Sequence, residues 1–294
     1  MKTFLPLIIL SCLTISLFAQ EKADTSYWNT NGNISLNFSE VSFSNWAAGG
    51  KSSVSGVGLL NFSVNYAKDK IIWENTLNFG YGLLKEGKND ATKSEDKIDL
   101  NSKLGLQTGS EKLLYSALFN FRTQFAPGYN YPNVTDEISN FLAPGYLNLA
   151  LGIDYKPSEK LSIFVSPLSG KLTIVDNLGL SEKFGLEIGK KSRGEFGATF
   201  KTQLKTPLVK NVDIDTQLSL FSNYLDTPQN IDVVWDLIIN MKINDFLSAN
   251  FISNLIYDDD IKIDIDENED GVFDGKGPRV QFKQLLGIGL SYKF

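Results

Sequence analysis

The chain has 294 residues, no histidine, one cysteine (Cys12) and a net charge of −6. Without histidine there is no Ser-His-Asp triad, no Cys-His dyad and no imidazole ligand for zinc, copper or haem. One cysteine forbids an intrachain disulfide or a thiolate cluster, and the negative balance argues against a nucleic-acid partner.

The N-terminus is read first as an address. Lys2, an apolar run from Phe4 to Phe18 and the small Ala19 form the pattern of a secretory signal peptide over residues 1–19, cleaved near Ala19. The run is too short for a dependable spanning helix of about 20 residues. Leu10 fits a lipoprotein cleavage site poorly, so Cys12 is expected to leave with the peptide. The loss of Lys2 moves the net charge from −6 to −7. Residues 20–294 then form one exported domain without cysteine, as suits a protein held by backbone pairing.

The rest of the chain alternates with period two. Leu60, Phe62, Val64 and Tyr66 alternate with Asn61, Ser63 and Asn65; Trp73, Leu77, Phe79 and Tyr81 alternate with Glu74, Thr76, Asn78 and Gly80. The pattern recurs to the last strand, Phe282, Leu286, Ile288, Leu290, Tyr292 and Phe294. Alternate side chains of a strand face opposite ways, so each segment has one apolar and one polar face. Predicted strands fall at 31–39, 53–67, 70–84, 96–108, 111–126, 144–156, 160–168, 193–207, 210–225, 229–243, 246–261 and 279–294. Pro167 and Gly170 interrupt the seventh, which 171–190 could extend or follow with a small outer hairpin, so ten or fourteen strands are alternatives to twelve.

A soluble sandwich also alternates. Three features favour a membrane barrel: runs longer than ordinary strands, short turns alternating with long polar loops, and aromatics near strand ends, among them Tyr66, Trp73, Tyr81, Phe125, Tyr224 and Tyr292. The expected fold is therefore all-β, an antiparallel transmembrane β-barrel of about 12 strands with both termini periplasmic. In hydrocarbon every backbone N–H and C=O needs an internal partner, and a closed barrel supplies one without leaving an edge.

Candidate functional residues follow in chain order. Asn45 and Trp46, in the apolar stretch Asn45-Trp46-Ala47-Ala48-Gly49-Gly50, belong to a loop that either folds inward as a plug or forms a Gly-Gly turn anchored by Trp46. Glu74, Asp99, Lys103 and Arg122 are expected to line the interior, with Asp99 and Arg122 as an ion pair on adjacent strands. Interior charges of both signs predict no strong ion selectivity. The segment from Asp266 reads D-x-N-x-D-G, the opening of a calcium loop, so Asp266, Asn268, Asp270, Val272 and Asp274 are candidate Ca²⁺ ligands. Gly277 stands where an EF-hand has its bidentate glutamate, so the competing reading is a solvated acidic loop. No other cofactor is expected.

The C-terminal Gly289-Leu290-Ser291-Tyr292-Lys293-Phe294 resembles the terminal signal that the barrel-assembly machinery reads, with Gly287 replacing the usual polar residue. Two stretches, Ser42-Phe43-Ser44-Asn45-Trp46-Ala47-Ala48-Gly49-Gly50 leading to Trp73-Glu74-Asn75, and Leu255-Ile256-Tyr257-Asp258-Asp259-Asp260, resemble an uncharacterised family of outer-membrane β-barrel proteins of Bacteroidota. That resemblance implies a barrel in the bacterial outer membrane, with lipid and lipopolysaccharide as surroundings, and carries no catalytic residue. The expected function is a passive channel or a binding barrel for a small solute, not an enzyme. The competing class is a non-conducting structural or surface-interaction barrel with acidic outer loops; oligomeric state is left open.

Overall fold

The computed structural model describes residues 26–43, 51–265, 267 and 273–294; the expected signal peptide, Cys12 included, lies outside the described residues. Twelve strands form the wall: β1 (Trp28–Val41), β2 (Ser53–Lys68), β3 (Ile71–Glu86), β4 (Thr92–Gln107), β5 (Leu113–Thr123), β6 (Gly145–Ser158), β7 (Leu161–Ile174), β8 (Ser192–Val209), β9 (Val212–Asn223), β10 (Ile231–Lys242), β11 (Leu247–Tyr257) and β12 (Gln281–Lys293). Each pairs antiparallel with its chain neighbours, and β12 returns to β1, closing the barrel. The twelve-stranded barrel expected from the alternation is the fold of this chain. Both ends of the described barrel, β1 and β12, meet the rim that carries the short turns; the long loops crown the other.

Alternation sets the two surfaces. Apolar side chains cover the outside: Leu286 is 70% and Leu290 59% exposed, with Leu149, Leu151 and Ile288 in similar state. Rings collect at both rims. Trp28 contacts Tyr66 and Trp73 at centroid distances of 5.0 and 5.9 Å on the short-turn side. Tyr81 meets Phe125 at 6.2 Å and Phe196 meets Tyr224 at 5.8 Å on the long-loop side.

The seventh strand shows how a proline fits such a wall. It runs to Ile174 where the expected end was 168. Pro167 has no N–H to give to a ladder, and the chain accommodates it in a bulge. The β6 register jumps from Leu151–Leu168 to Ile153–Val165, and the β8 register from Gly197–Ser169 to Thr199–Ser166. The buried Ser166 hydroxyl lies 2.8 Å from the Leu151 carbonyl and accepts from the Leu168 N–H at 3.2 Å, satisfying groups the bulge frees. Other departures are smaller. β4 begins at Thr92 instead of 96, and β11 stops at Tyr257 where 261 was expected; short ribbons also form within the loops, at 128–129 with 137–139 and at 263–265 with 275–277.

Closure is tightest at the short-turn side. β1 and β12 pair from Asn33–Lys293 to Phe38–Ile288, extended by reciprocal hydrogen bonds between Gly32 and Phe294. The inward positions Gly287 and Gly289 let the flanking strands approach: a Cβ on Gly289 would stand 2.0 Å from the Leu36 carbonyl oxygen. Asn250 of β11 and Asn37 of β1 hydrogen-bond at 3.0 Å, two strands apart, across the glycines between them. Among the described residues, Gln281–Gly287 pair with β11 alone, so the β1–β12 seam is zipped only over its short-turn part.

Candidate functional site

The lumen is divided. A chamber of about 890 Å³ reaches the short-turn rim, where Lys160, Lys293 and Phe294 border it. Amides from several strands line its wall, including Asn61, Asn65, Asn78, Asn240 and Asn254. Each comes from the polar parity of its strand, so the alternation places them inward. Glu74 of β3, Lys103 of β4 and Asp154 and Lys156 of β6 form an ionic group within it. Lys103 contacts Asp154 at 2.6 Å and Glu74 at 3.4 Å, and Lys156 contacts Glu74 at 2.5 Å.

Farther outward the lining takes in Glu95 and Lys97 and a layer of charged side chains that crosses the lumen. Asp99 and Arg122 are direct register partners on β4 and β5, with Arg122 Nη2 3.1 Å from Asp99 Oδ2. The same nitrogen lies 2.7 Å from Asp236 Oδ2 on β10, five strands away around the barrel. Lys97 approaches Asp236 at 3.1 Å and Asn254 donates to it at 2.5 Å. Lys201 of β8 reaches Asn101 of β4 at 2.8 Å, a second bridge across the lumen.

A further ionic group lies toward the long-loop rim. Lys171 of β7 meets Asp232 at 2.5 Å, Asp258 at 2.8 Å and Glu195 at 3.6 Å. Arg193 of β8 meets Glu195 at 3.0 Å and Asp260 at 2.5 Å. Because Lys171 and Arg193 face the lumen, these pairs draw the segment 258–260 into the mouth. Three loops join there. Ala143, Val175, Leu180, Phe184 and Leu186 form a small apolar core, and the Lys262 N–H donates to the Lys183 carbonyl at 3.2 Å. Burial in this cap pushes the Lys183 pKa down, against the attraction of Asp264.

Of the residues singled out in the sequence, Glu74 and Lys103 sit together in the chamber, while Asp99 and Arg122 sit together in the cross-lumen layer. Asn45, Trp46, Asp266, Asn268, Asp270 and Val272 lie outside the described residues. Asp274 accepts the Glu267 N–H at 2.8 Å within its own loop. Among the described residues no group of three or more acidic side chains is arranged to hold a metal ion.

Two features escaped the sequence reading. The interior is not uniformly polar: Leu118, Ala150 and Phe164 pack together on the inner wall of β5–β7, beside Leu114, with Phe164 and Leu114 each 1% exposed. Consecutive apolar residues, Leu113-Leu114 and Ala117-Leu118-Phe119, carry that signal in the sequence because they fill both faces. The bridging role of Asp236 and Lys201 has no local signal, since their partners are on other strands.

Comparison with known proteins places the chain in context. The family described as "Protein of unknown function (DUF3078)" matches residues 38–129. No curated protein matches the sequence. Among solved structures, the COG4313 outer membrane channel from Pseudomonas putida F1 is similar at 14% identity and a TM-score of 0.39, over 93% of this chain and 100% of that one. The translocator domain of the autotransporter NalP from Neisseria meningitidis is similar at 10% identity and 0.36, over 98% and 94%. The P. putida toluene transporter TodX is similar at 9% identity and 0.32, over 92% and 90%. Likeness of this degree carries nothing about a solute.

Proposed function

We propose that this is a bacterial outer-membrane barrel that binds a small polar solute in a chamber open to the periplasm and is closed toward the exterior at rest. The apolar outer belt between two rings of aromatics supports the location, because hydrocarbon is the solvent in which such a surface is stable. Short turns on the periplasmic side put the chamber mouth there. In this reading the acidic outer loops, with or without bound calcium, face lipopolysaccharide, and the barrel-assembly machinery reads the terminus at Phe294.

The observation that carries closure is the Arg122 guanidinium held between Asp99 and Asp236 from opposite walls. Such a group resists opening, since separating it leaves charges without partners in a poorly hydrated space. Single-channel recording in a planar bilayer tests it. The unmodified protein should show rare openings, and Arg122→Ala with Asp236→Ala should raise open probability about tenfold, the equivalent of ~1.4 kcal/mol. Steady conductance of the unmodified barrel would overturn the closed reading. Silence of both forms would favour the non-conducting surface barrel.

A further inference from the structure

Two lysines of the chamber contact no carboxylate among the described residues: Lys160, exposed at the rim, and Lys201, set back within the lumen. Lys97, Lys103, Lys156, Lys205 and Lys293 each contact a carboxylate. Lys201 forms no ion pair among the described residues; its ammonium donates to the neutral Asn101 Oδ1 at 2.8 Å. It lines the chamber beside the cross-lumen layer, with Asn101, Asp99 and Asp236 in the same lining. The carboxylates whose charge reaches it, Asp99 and Asp236, are already engaged by Arg122 and Lys97.

An ammonium offers three donors, and an amide oxygen satisfies one without supplying charge. A cation removed from bulk water calls for an anion, and a charge-assisted contact is the strong form of hydrogen bond. The bulge at Pro167 does not disturb this position: Lys201 is in regular register with Phe164 on β7 and with Ser219 on β9. The side chain is thus held by a continuous wall and extends across the lumen to β4.

We propose that the chamber wall beside the cross-lumen layer is an anion subsite: a small solute carrying one carboxylate or phosphate enters from the periplasmic mouth and places that group on Lys201, displacing Asn101. The amide-lined wall takes the hydroxyl-rich remainder of the solute. The proposal rests on the periplasmic chamber described above, and it is tested by binding in detergent, where conductance plays no part.

Isothermal titration of the purified barrel with gluconate, inorganic phosphate and sorbitol reads the subsite. Saturable binding of gluconate or phosphate is expected, with sorbitol at least tenfold weaker. Lys201→Gln should lose that binding tenfold or more, Lys201→Arg should keep most of it, and Lys191→Gln, in an exposed loop outside the chamber, should leave it unchanged. Each variant's fold is checked by its mobility shift on heating in SDS. A gluconate response locates a carboxylate ligand and a phosphate response a phosphorylated one. Equal binding by the unmodified protein and a folded Lys201→Gln, or no binding of either anion by the unmodified protein, would overturn the proposal. Neither result bears on closure, which the bilayer recording decides separately.

Discussion

The two halves of the lumen use the same residue types, alternating inward from the same strands, with different consequences. On the short-turn side Lys156 and Glu74 form a 2.5 Å pair, but the Glu74 side chain keeps 37% of its surface exposed to the chamber. On the long-loop side Lys171 also makes a 2.5 Å pair, yet its side chain is only 8% exposed and answers to Asp232, Asp258 and Glu195 together. An ion pair near water exchanges one set of good contacts for another; a buried one cannot lose a member cheaply. The difference lies in what covers the pairs. Loops fold over the outer group, whereas the inner group borders an open chamber.

The seam offers the largest perturbation and asks whether the short-turn half holds the barrel shut. Gly289→Val would drive a side chain into the β1 backbone at the one stretch where first and last strands pair. Loss of the heat-modifiable folded band in SDS electrophoresis is expected. A barrel that folds normally with valine there would show that closure does not depend on this contact.

Lys171→Met comes next. It strands Asp232 and Asp258 in the capped half, while Glu195 keeps Arg193, with an expected cost of about 3–5 kcal/mol. The transition on heating in detergent should fall markedly, and limited proteolysis should reach the segment 258–262. Lys156→Met, the same change in the open half, should cost no more than about 1 kcal/mol because Glu74 remains solvated. Equal losses from the two substitutions would erase the contrast between the halves.

Much of this architecture was legible in the chain. Period two marked most of the strands and the turns between them set the count of twelve, because a wall with hydrocarbon on one side and a polar lumen on the other imposes the alternation residue by residue. Asp99 and Arg122 could be paired in advance because adjacent strands joined by a short turn leave little freedom of register. The extension of β7 past Pro167 was harder to see, since it depends on Ser166 supplying hydrogen bonds that only the folded bulge brings into reach. The apolar inner cluster around Phe164 runs against the polar parity, and its local trace is the run of consecutive apolar residues Ala117-Leu118-Phe119.

By itself the sequence determined which side chains point into the barrel along the regular strands, since parity is a property of the strand; in β7 the bulge moves that parity from Phe164 and Ser166 to Ser169 and Lys171. Which of them meet was decided only by closure. The contacts of Arg122 with Asp236 and of Lys201 with Asn101 join strands far apart in the chain, and their distances depend on strand number, stagger and the seam between β1 and β12. Division of the lumen into an open chamber and a capped half is likewise tertiary, because loops widely separated in sequence share the cap.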